Sequence, residues 1–312
     1  MRIAIIGAGI SGLYLSLKLV KEHQVFLFEK KKEIGGKACS SLYSERIFEF
    51  LPTAKDFIKN KIDFCLLHFP KKEIKLNFKK NFFVFDRDSL QKHLFELAKE
   101  SGVNFEFGKN VDFDFLKDIE KDFDKIIGCD GANSRVRDYL KLKKPKFYFA
   151  LQGFVKEKDF SNFVEVWPTK NGFLWRIPRG DEVEYGIMEE GKRAMDIFEN
   201  FKKWKNLNFF KKNSGSIPQG FSLPKNQRIT LCGDAAGLTK PWSGGGVIWG
   251  LRLANILLLN FPDFLKYKKE AENFFLSQIF ISKVLKKLVY FFGFKFPKIL
   301  FSEYQIDGDF FI

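Results

Sequence analysis

The sequence is poor in the residues that build metal centres and disulfide frameworks. Its 312 residues include four cysteines and three histidines. The cysteines (Cys39, Cys65, Cys129 and Cys232) show no CxxC spacing and have no metal-ligand partners nearby in the sequence. This pattern predicts a reduced, cytoplasmic protein with no zinc or iron–sulfur site. No uninterrupted apolar run reaches the length of a membrane-spanning helix, so we expect no transmembrane segment.

Positive charge is in excess, with a formal net charge of +15. The lysines are scattered through every segment and do not form the cluster that is typical of a nucleic-acid interface, so we expect no nucleic-acid partner. An anionic membrane surface is the partner that this charge favours. A chain of this length can hold two domains.

A glycine motif stands at the start of the chain. Arg2–Ile6 has the β-branched and apolar composition of a central parallel strand, and Gly7, Gly9 and Gly12 follow it in the order GxGxxG before an apolar helix. Such glycines allow a tight turn and a close approach of the backbone to a pyrophosphate. Glu29 ends the next strand, where an acid can accept hydrogen bonds from ribose hydroxyls. The segment therefore predicts a dinucleotide site.

A second glycine motif lies near the other end. The strand Arg228–Cys232 leads into Gly233 and Asp234, and Gly244–Gly246 precede an apolar helix. The Asp234 carboxylate can accept hydrogen bonds from a ribityl chain. The positive end of the helix that begins at Val247 would stabilise a reduced flavin ring. The two motifs together predict FAD rather than NAD.

The order of elements predicts an α/β fold. Blocks of strand, loop and helix are interrupted twice by sheet-rich insertions, so we expect an FAD-binding Rossmann-like domain (three layers with a parallel sheet), an inserted sheet-rich α+β substrate domain and a C-terminal helical segment. The expected domains are residues 1–45, 81–140 and 222–262 for FAD, 46–80 and 141–221 for the substrate, and 263–312 for the helical segment. Residues 192–212 are predicted to form a helix.

With these motifs located, the chain resembles the FAD-dependent monooxygenase-like flavoproteins of the para-hydroxybenzoate hydroxylase fold. Asp130-Gly131 is similar to an internal motif of that superfamily. Within it the chain resembles the geranylgeranyl reductases, through Gly237, Lys37-Ala38-Cys39 and Phe173–Pro178 with Gly186 beyond. Phe173 departs from that pattern, because it stands where these reductases have tyrosine.

The resemblance implies an enzyme that reduces carbon–carbon double bonds of a prenyl (geranylgeranyl) lipid by hydride transfer from reduced flavin, with NAD(P)H, ferredoxin or another reductant as electron donor. It implies Cys39 as the catalytic candidate, by position only, and a substrate pocket lined by Phe173, Trp175 and Pro178. The implied cofactor-binding residues are Gly7, Gly9, Ser11, Gly12, Glu29, Cys39, Ser40, Arg87, Val111, Asp130, Asp234, Gly244, Gly245, Gly246 and Val247.

Several alternatives stay open at this level. The same fold serves monooxygenases that hydroxylate aromatic or lipid substrates, and a shortened chain is also compatible with a catalytically degenerate flavin-binding protein at a membrane surface. Cys39 is as well explained by packing as by chemistry. The stretch Phe264–Tyr304 has the composition of a basic amphipathic helix, which fits either peripheral contact with the inner face of the membrane or packing against the substrate domain.

Overall fold

The computed structural model describes residues 1–191 and 193–311. The chain divides into two compact units. The first comprises Met1–Gly36, Arg87–Lys146 and Pro218–Ser277, and the second comprises Lys37–Asp86, Phe147–Ile217 and Gln278–Ile312. The second unit includes residues 37–45 and 81–86, which the sequence assigned to the FAD domain, because β3 (Leu42–Ser44) pairs with β5 (Lys72–Phe85) in its sheet.

The first unit is built on parallel strands with helices between them. Its strands are β1 (Arg2–Ile6), β2 (Gln24–Glu29), β6 (Asn104–Phe107), β7 (Lys125–Gly128) and β13 (Ile229–Leu231). Its helices are α1 (Ile10–Leu19), α3 (Arg87–Glu100), α4 (Phe113–Asp122), α5 (Arg135–Tyr139) and α7 (Val247–Asn260), with a 3₁₀ turn at Gly233–Ala236. The long helix α8 (Phe264–Lys295) passes from the first unit into the second after Ser277.

The strand order of this sheet explains where its motifs meet. The order is β13-β7-β1-β2-β6, and every neighbouring pair is parallel. The chain moves outward from β1 through β2 to β6 and then returns to β7 on the other side of β1. The order reverses between β1 and β7, and ligands of such sheets bind at this switch point, beyond the carboxyl ends of the strands. The predicted Rossmann-like α/β architecture is confirmed.

The second unit contains a nine-stranded sheet. Besides β3 and β5, its strands are β4 (Ile58–Phe69), β8 (Lys146–Val155), β9 (Phe163–Pro168), β10 (Phe173–Pro178), β11 (Val183–Glu189), β12 (Lys211–Gln219) and β14 (Glu303–Ile306). Their order is β12-β8-β11-β10-β9-β4-β5-β14, with β3 paired to β5. Its helices are α2 (Ile47–Phe50), α6 (Arg193–Trp204), the later part of α8 and the 3₁₀ turns Pro52–Phe57 and Pro297–Ile299. The sheet-rich character predicted for this part of the chain is confirmed.

Alternation along β10 divides the core of the second unit. Phe173, Trp175 and Ile177 join an apolar cluster on one face of the sheet, whereas Leu174 joins the cluster under α6 on the other. The first cluster also contains Ile62, Cys65, Phe82, Val84, Tyr148, Val164 and Met188. We call this cluster the apolar sheet face.

The structure corrects two expectations about secondary structure. The helix predicted at 192–212 ends at Trp204 within the described residues, and Lys192 lies outside them. Asn206 takes a left-handed φ of 52°, and the Leu207 N–H bonds the Lys202 carbonyl, which is how many helices end. The C-terminal segment is not helical throughout, because β14 pairs in parallel with β5.

Candidate active site

The glycine loop after β1 is fixed by hydrogen bonds from three directions. The Gly7 N–H donates to the Phe28 carbonyl at 2.8 Å, and the Ala8 N–H donates to Oε2 of Glu29 at 2.8 Å. Nε2 of Gln91, on α3, donates to the Ala8 carbonyl at 2.7 Å. These bonds hold the loop in place at the ends of β1 and β2.

The three glycines of this loop have different reasons to lack a side chain. A Cβ at Gly7 would lie 2.6 Å from the Cys129 carbonyl oxygen, and one at Gly12 would collide with the Gly7 carbonyl. At Gly9, by contrast, a Cβ would have no atom of the described residues within 4 Å, apart from its chain neighbours. Packing within the protein explains Gly7 and Gly12, whereas the space at Gly9 fits the close approach of a pyrophosphate.

Glu29 and the start of α3 lie beside this loop. The second oxygen of Glu29 accepts a hydrogen bond from the Lys31 N–H at 2.9 Å, so the carboxylate is held at the carboxyl end of β2. Arg87, the first residue of α3, is buried. The neighbouring Asp88 accepts a hydrogen bond from the Gly36 N–H at 2.9 Å, which fastens the loop after β2 to α3.

Asp130 follows β7 on the opposite side of β1. One of its oxygens accepts hydrogen bonds from the Arg135 and Val136 N–H groups at 2.6 and 3.2 Å. The other, Oδ1, is buried and has no hydrogen-bond partner among the residues that the structure describes. Burial raises the pKa of Asp130, and the hydrogen bonds that it accepts oppose this. A Cβ on Gly7 would lie 2.9 Å from the Asp130 Cα, so the two motifs are adjacent.

The late glycine motif meets the early one at Ser11. Gly233, with a φ of 64°, would place a Cβ 2.8 Å from Oγ of Ser11, and Gly250 of α7 would place one 3.1 Å from it. A Cβ at Gly246 would lie 2.7 Å from Oδ1 of Asp234. Segments more than two hundred residues apart in the sequence are thus in contact.

The start of α7 completes this edge of the first unit. Gly246 is the N-cap of α7, it makes no side-chain capping bond, and the first turn has no acidic residue. Gly244 and Gly245 directly precede this helix, Val247 is its first residue, and the Lys240 N–H donates to the Gly245 carbonyl at 3.0 Å. A helix start of this kind, next to the Asp234 carboxylate, suits the hydroxyl chain and ring edge of a flavin.

Three further predicted cofactor residues lie outside the two glycine motifs in the sequence. Val111 is buried in the loop between β6 and α4, four residues after the strand on which the sequence placed it. Cys39 and Ser40 belong to the second unit. There Sγ of Cys39 lies 3.4 Å from Oη of Tyr43, and the Ser41 N–H donates to the same sulfur at 3.4 Å.

Phe173 and Trp175 lie together on the apolar sheet face, with ring centroids 5.8 Å apart. Trp175 is the cross-strand partner of Gly186, and a Cβ there would overlap the indole ring. Gly186 therefore leaves the space in which Trp175 lies flat. Pro178 is the last residue of β10. Because side chains alternate along a strand, it faces the opposite side of the sheet from Phe173 and Trp175.

A buried polar cluster that the sequence analysis missed lies next to Trp175. The Trp175 Nε1–H and the Gln152 amide donate to Oε1 of Glu184 at 2.9 and 2.8 Å. An Arg179 guanidinium nitrogen donates to Oε2 of Glu184 at 2.9 Å and to the Ser40 carbonyl at 2.7 Å. We call Gln152, Trp175, Arg179 and Glu184 the Glu184 cluster.

Burial dominates the electrostatics of this cluster. The Glu184 side chain is fully buried. Burial raises its pKa, and the Arg179 charge together with the bonds from Trp175 and Gln152 opposes that rise. Because Arg179 also bonds the Ser40 carbonyl, the cluster fixes the chain directly after Cys39. The trace of this cluster in the sequence is an acidic residue, Glu184, between Val183 and Tyr185 in β11.

The chain is similar in sequence to a Rossmann-like family model and to named reductases. A family model described as an NAD(P)-binding Rossmann-like domain matches residues 5–54. A digeranylgeranylglycerophospholipid reductase of Methanococcus vannielii is 26% identical over 285 residues, which covers 78% of this chain and 72% of that protein. The enzyme of the same name from Methanocaldococcus jannaschii is 25% identical with the same coverage. The chain is similar to the geranylgeranyl reductases. It is an FAD-dependent oxidoreductase, as the sequence predicted.

Solved structures show the same fold. A geranylgeranyl bacteriochlorophyll reductase-like protein from Thermoplasma acidophilum superposes with a TM-score of 0.71 at 18% identity, covering 87% of this chain and 83% of that one. A flavin-dependent brominase superposes with a TM-score of 0.73 at 15% identity, covering 96% and 89%. At these identities the structures establish the fold alone, and the reductase resemblance is confirmed by the sequence relatives.

Proposed function

We propose that this protein reduces carbon–carbon double bonds in the isoprenoid chains of a prenyl lipid, with FAD as its redox cofactor. The observation that carries the proposal is the similarity to digeranylgeranylglycerophospholipid reductases along 78% of the chain. The convergence of Gly9, Asp234 and Gly246 at the carboxyl ends of parallel strands supports the cofactor.

The residues of the first unit have separate tasks in this proposal. When bound, FAD supplies the hydride that the double bond accepts. The Gly7–Gly12 loop and Ser11 hold the pyrophosphate, Glu29 binds the adenosine ribose, and Val111 contacts the adenine side. Arg87 and Asp234 bind the ribityl-phosphate part. The N-terminus of α7, from Gly244 to Val247, stabilises negative charge on the flavin ring.

The second unit supplies the apolar surroundings that a prenyl chain needs. Phe173 and Trp175 project from the apolar sheet face, and we propose that they line the path of the isoprenoid chain. Cys39 is the proposed proton donor to the carbon next to the one that receives hydride. Its contact with the Tyr43 hydroxyl provides a route by which that proton is replaced.

The site of action follows from the substrate. Prenyl lipids reside in bilayers, and we propose that the protein works from the cytoplasmic face of a membrane, where its four free cysteines remain reduced. Among the described residues, no helix is both long and apolar enough to cross a bilayer. The reductant is an external donor, and NAD(P)H and reduced ferredoxin are the two to compare.

The decisive experiment is a single turnover without oxygen. The FAD-loaded protein is reduced chemically, mixed with a digeranylgeranyl lipid in detergent, and followed by flavin absorbance and by mass spectrometry of the lipid. We expect the flavin to reoxidise and the lipid to gain two mass units per reduced double bond. A reduced flavin that stays reduced, with unchanged lipid, would overturn the proposal. Reoxidation that requires oxygen and adds oxygen to the lipid would support a monooxygenase instead.

A further inference from the structure

The outward side of α8 in the second unit is apolar. Phe280, Val284, Leu288 and Phe291 are spaced by four, four and three residues, which places them on one side of the helix. All four are exposed, and Phe280 is 69% exposed. We call these four residues the α8 outer face.

The residues of the same stretch that are buried are small or polar, whereas Ile279, Val289 and Tyr290 are only partly buried. Gln278, Ser282 and Gly293 are buried. A Cβ at Gly293 would collide with the ring of Phe69, which shows how closely the helix backbone packs there. An ordinary surface helix, by contrast, turns its large apolar side chains to the core. The α8 outer face is thus apolar surface that packing of this helix leaves exposed.

The apolar surface continues beyond the helix. Phe296, Ile299 and Phe301 follow α8 and are all exposed, with Phe301 at 74%. Contiguous exposed apolar surface of this kind marks a site of contact with a protein or a membrane. We therefore take this surface as a candidate contact site.

The charges around this surface identify the partner. Residues 273–302 contain no acidic residue and five lysines, namely Lys283, Lys286, Lys287, Lys295 and Lys298. Lys286 lies over the rings of Tyr148 and Tyr290, and the other four are exposed. Two copies of this face would bring like charges together, whereas anionic lipid headgroups would neutralise them.

We propose that the α8 outer face, with Phe296, Ile299 and Phe301, docks the protein on an anionic lipid bilayer. The phenylalanines enter the boundary between headgroups and acyl chains, and the exposed lysines contact lipid phosphates. The proposal rests on the proposed function in one respect, namely that a prenyl-lipid substrate has to be reached in the bilayer.

Vesicle co-sedimentation of the full FAD-loaded chain tests the proposal. Vesicles of phosphatidylcholine alone are compared with vesicles that also contain phosphatidylglycerol, at low and high salt. We expect sedimentation with the anionic vesicles, weakened by salt because the lysines contribute. The double variant Phe280→Ser/Phe291→Ser should lower the partition constant by roughly tenfold or more, because it removes two apolar side chains from the interface.

Matched control variants distinguish docking through this surface from nonspecific adsorption to vesicles. Phe160 is 65% exposed in the second unit, so Phe160→Ser removes a comparable ring elsewhere and should leave sedimentation unchanged. Lys283→Glu/Lys287→Glu should abolish the preference for anionic vesicles. Lys143→Glu/Lys144→Glu, at exposed positions with the same change in net charge, should weaken it only slightly.

Three results would overturn the docking proposal. The first is the absence of sedimentation of the wild-type chain. The second is equal sedimentation of the Phe280→Ser/Phe291→Ser and Phe160→Ser proteins. The third is a dimer in light scattering that the Phe280→Ser/Phe291→Ser substitutions dissociate, without vesicle binding. Turnover of detergent-dispersed lipid by the same variants is read separately, so a failed docking proposal leaves the reductase proposal standing, and the reverse also holds.

Discussion

Replacing Gly9 by alanine is expected to weaken FAD binding strongly while leaving the fold intact. Gly9 has a φ of −71° and a ψ of 174°, an extended conformation that alanine adopts without strain. The new methyl group would meet no described atom of the protein within 4 Å beyond its chain neighbours. Only a ligand at that position can make the substitution harmful.

The expected magnitudes follow from these facts. In the protein without cofactor, alanine at an N-cap costs about 0.5–1 kcal/mol. Alanine also lowers the conformational entropy of the unfolded chain, which stabilises the folded protein by about 0.4–1 kcal/mol. The free energy of unfolding should therefore change by less than about 0.5 kcal/mol. In the FAD complex, loss of one backbone hydrogen bond to a charged phosphate costs about 2–3 kcal/mol. That loss corresponds to a rise of about 30- to 150-fold in Kd.

The assay measures both quantities on the same preparations. Urea denaturation of the cofactor-free protein gives the free energy of unfolding, and quenching of flavin fluorescence gives the Kd for FAD. Gly215→Ala is the matched control, because its Cβ would make only an ordinary contact of 3.6 Å with Ala38. An unchanged FAD affinity in Gly9→Ala would refute the placement of the pyrophosphate, and a large loss of stability would refute the open space at Gly9.

Three further predictions concern the second unit. Arg179→Met leaves Glu184 buried without its cation and should lower the free energy of unfolding by about 3–5 kcal/mol. Burial raises the Glu184 pKa, and the Arg179 charge lowers it, so removal of Arg179 raises that pKa further. The native state of the variant then binds the Glu184 proton more tightly than the unfolded state does. It therefore loses stability as pH rises above 4.5, the ordinary pKa of the group. The deficit relative to wild type in urea denaturation should therefore be larger at about pH 8 than at about pH 5, and equal deficits would contradict this. Arg46 bonds both oxygens of Asp307 at 2.8 Å. Burial alone would raise the Asp307 pKa, but the hydrogen bonds and the charge of Arg46 hold it below 3.8. The stability that Arg46→Met removes should be present at neutral pH and fade as pH falls through that lowered pKa, which acid titration of both proteins by circular dichroism would reveal. Gly186→Ala should displace the Trp175 ring, cost about 1–3 kcal/mol and change tryptophan fluorescence, whereas Gly215→Ala should not; an unchanged spectrum would refute the packing of Trp175 on Gly186.

The strand–turn–helix segments that carry the two glycine motifs could be predicted because their determinants are local in sequence. A short apolar strand followed by Gly7–Gly12, or by Gly233 and Asp234, specifies strand, turn and helix without reference to the rest of the chain. Parallel pairing then brings the carboxyl ends of β1, β7 and β13 to one edge. The contact of Ser11 with Gly233 follows from that topology.

The Glu184 cluster could not be predicted in the same way. It depends on the register of β10 with β11 and on the return of Arg179 to the Ser40 carbonyl, 139 positions earlier in the chain. Side-chain alternation indicates that Glu184 faces one side of a strand, but not which residues meet it there. Strand β14 was not predicted for a related reason. Its four residues, Glu303–Ile306, are too few to show a periodic pattern, and they form a strand because they pair with the edge of β5.

The orientation of α8 shows most clearly what sequence periodicity leaves undetermined. Between Gln278 and Lys295, apolar residues occur on every side of the helix and lysines interrupt them, so no single stripe specifies the buried face. Specific contacts decide it instead: the close approach of Gly293 to Phe69 and the hydrogen bond from the Tyr290 hydroxyl to the Gly172 carbonyl at 2.8 Å. Those contacts turn Phe280 and Phe291 outward. Exposed apolar area of this size carries a cost in solubility, and an anionic bilayer that accepts both the rings and the lysines would offset that cost. The same arrangement would keep the protein at the surface where its proposed lipid substrate resides.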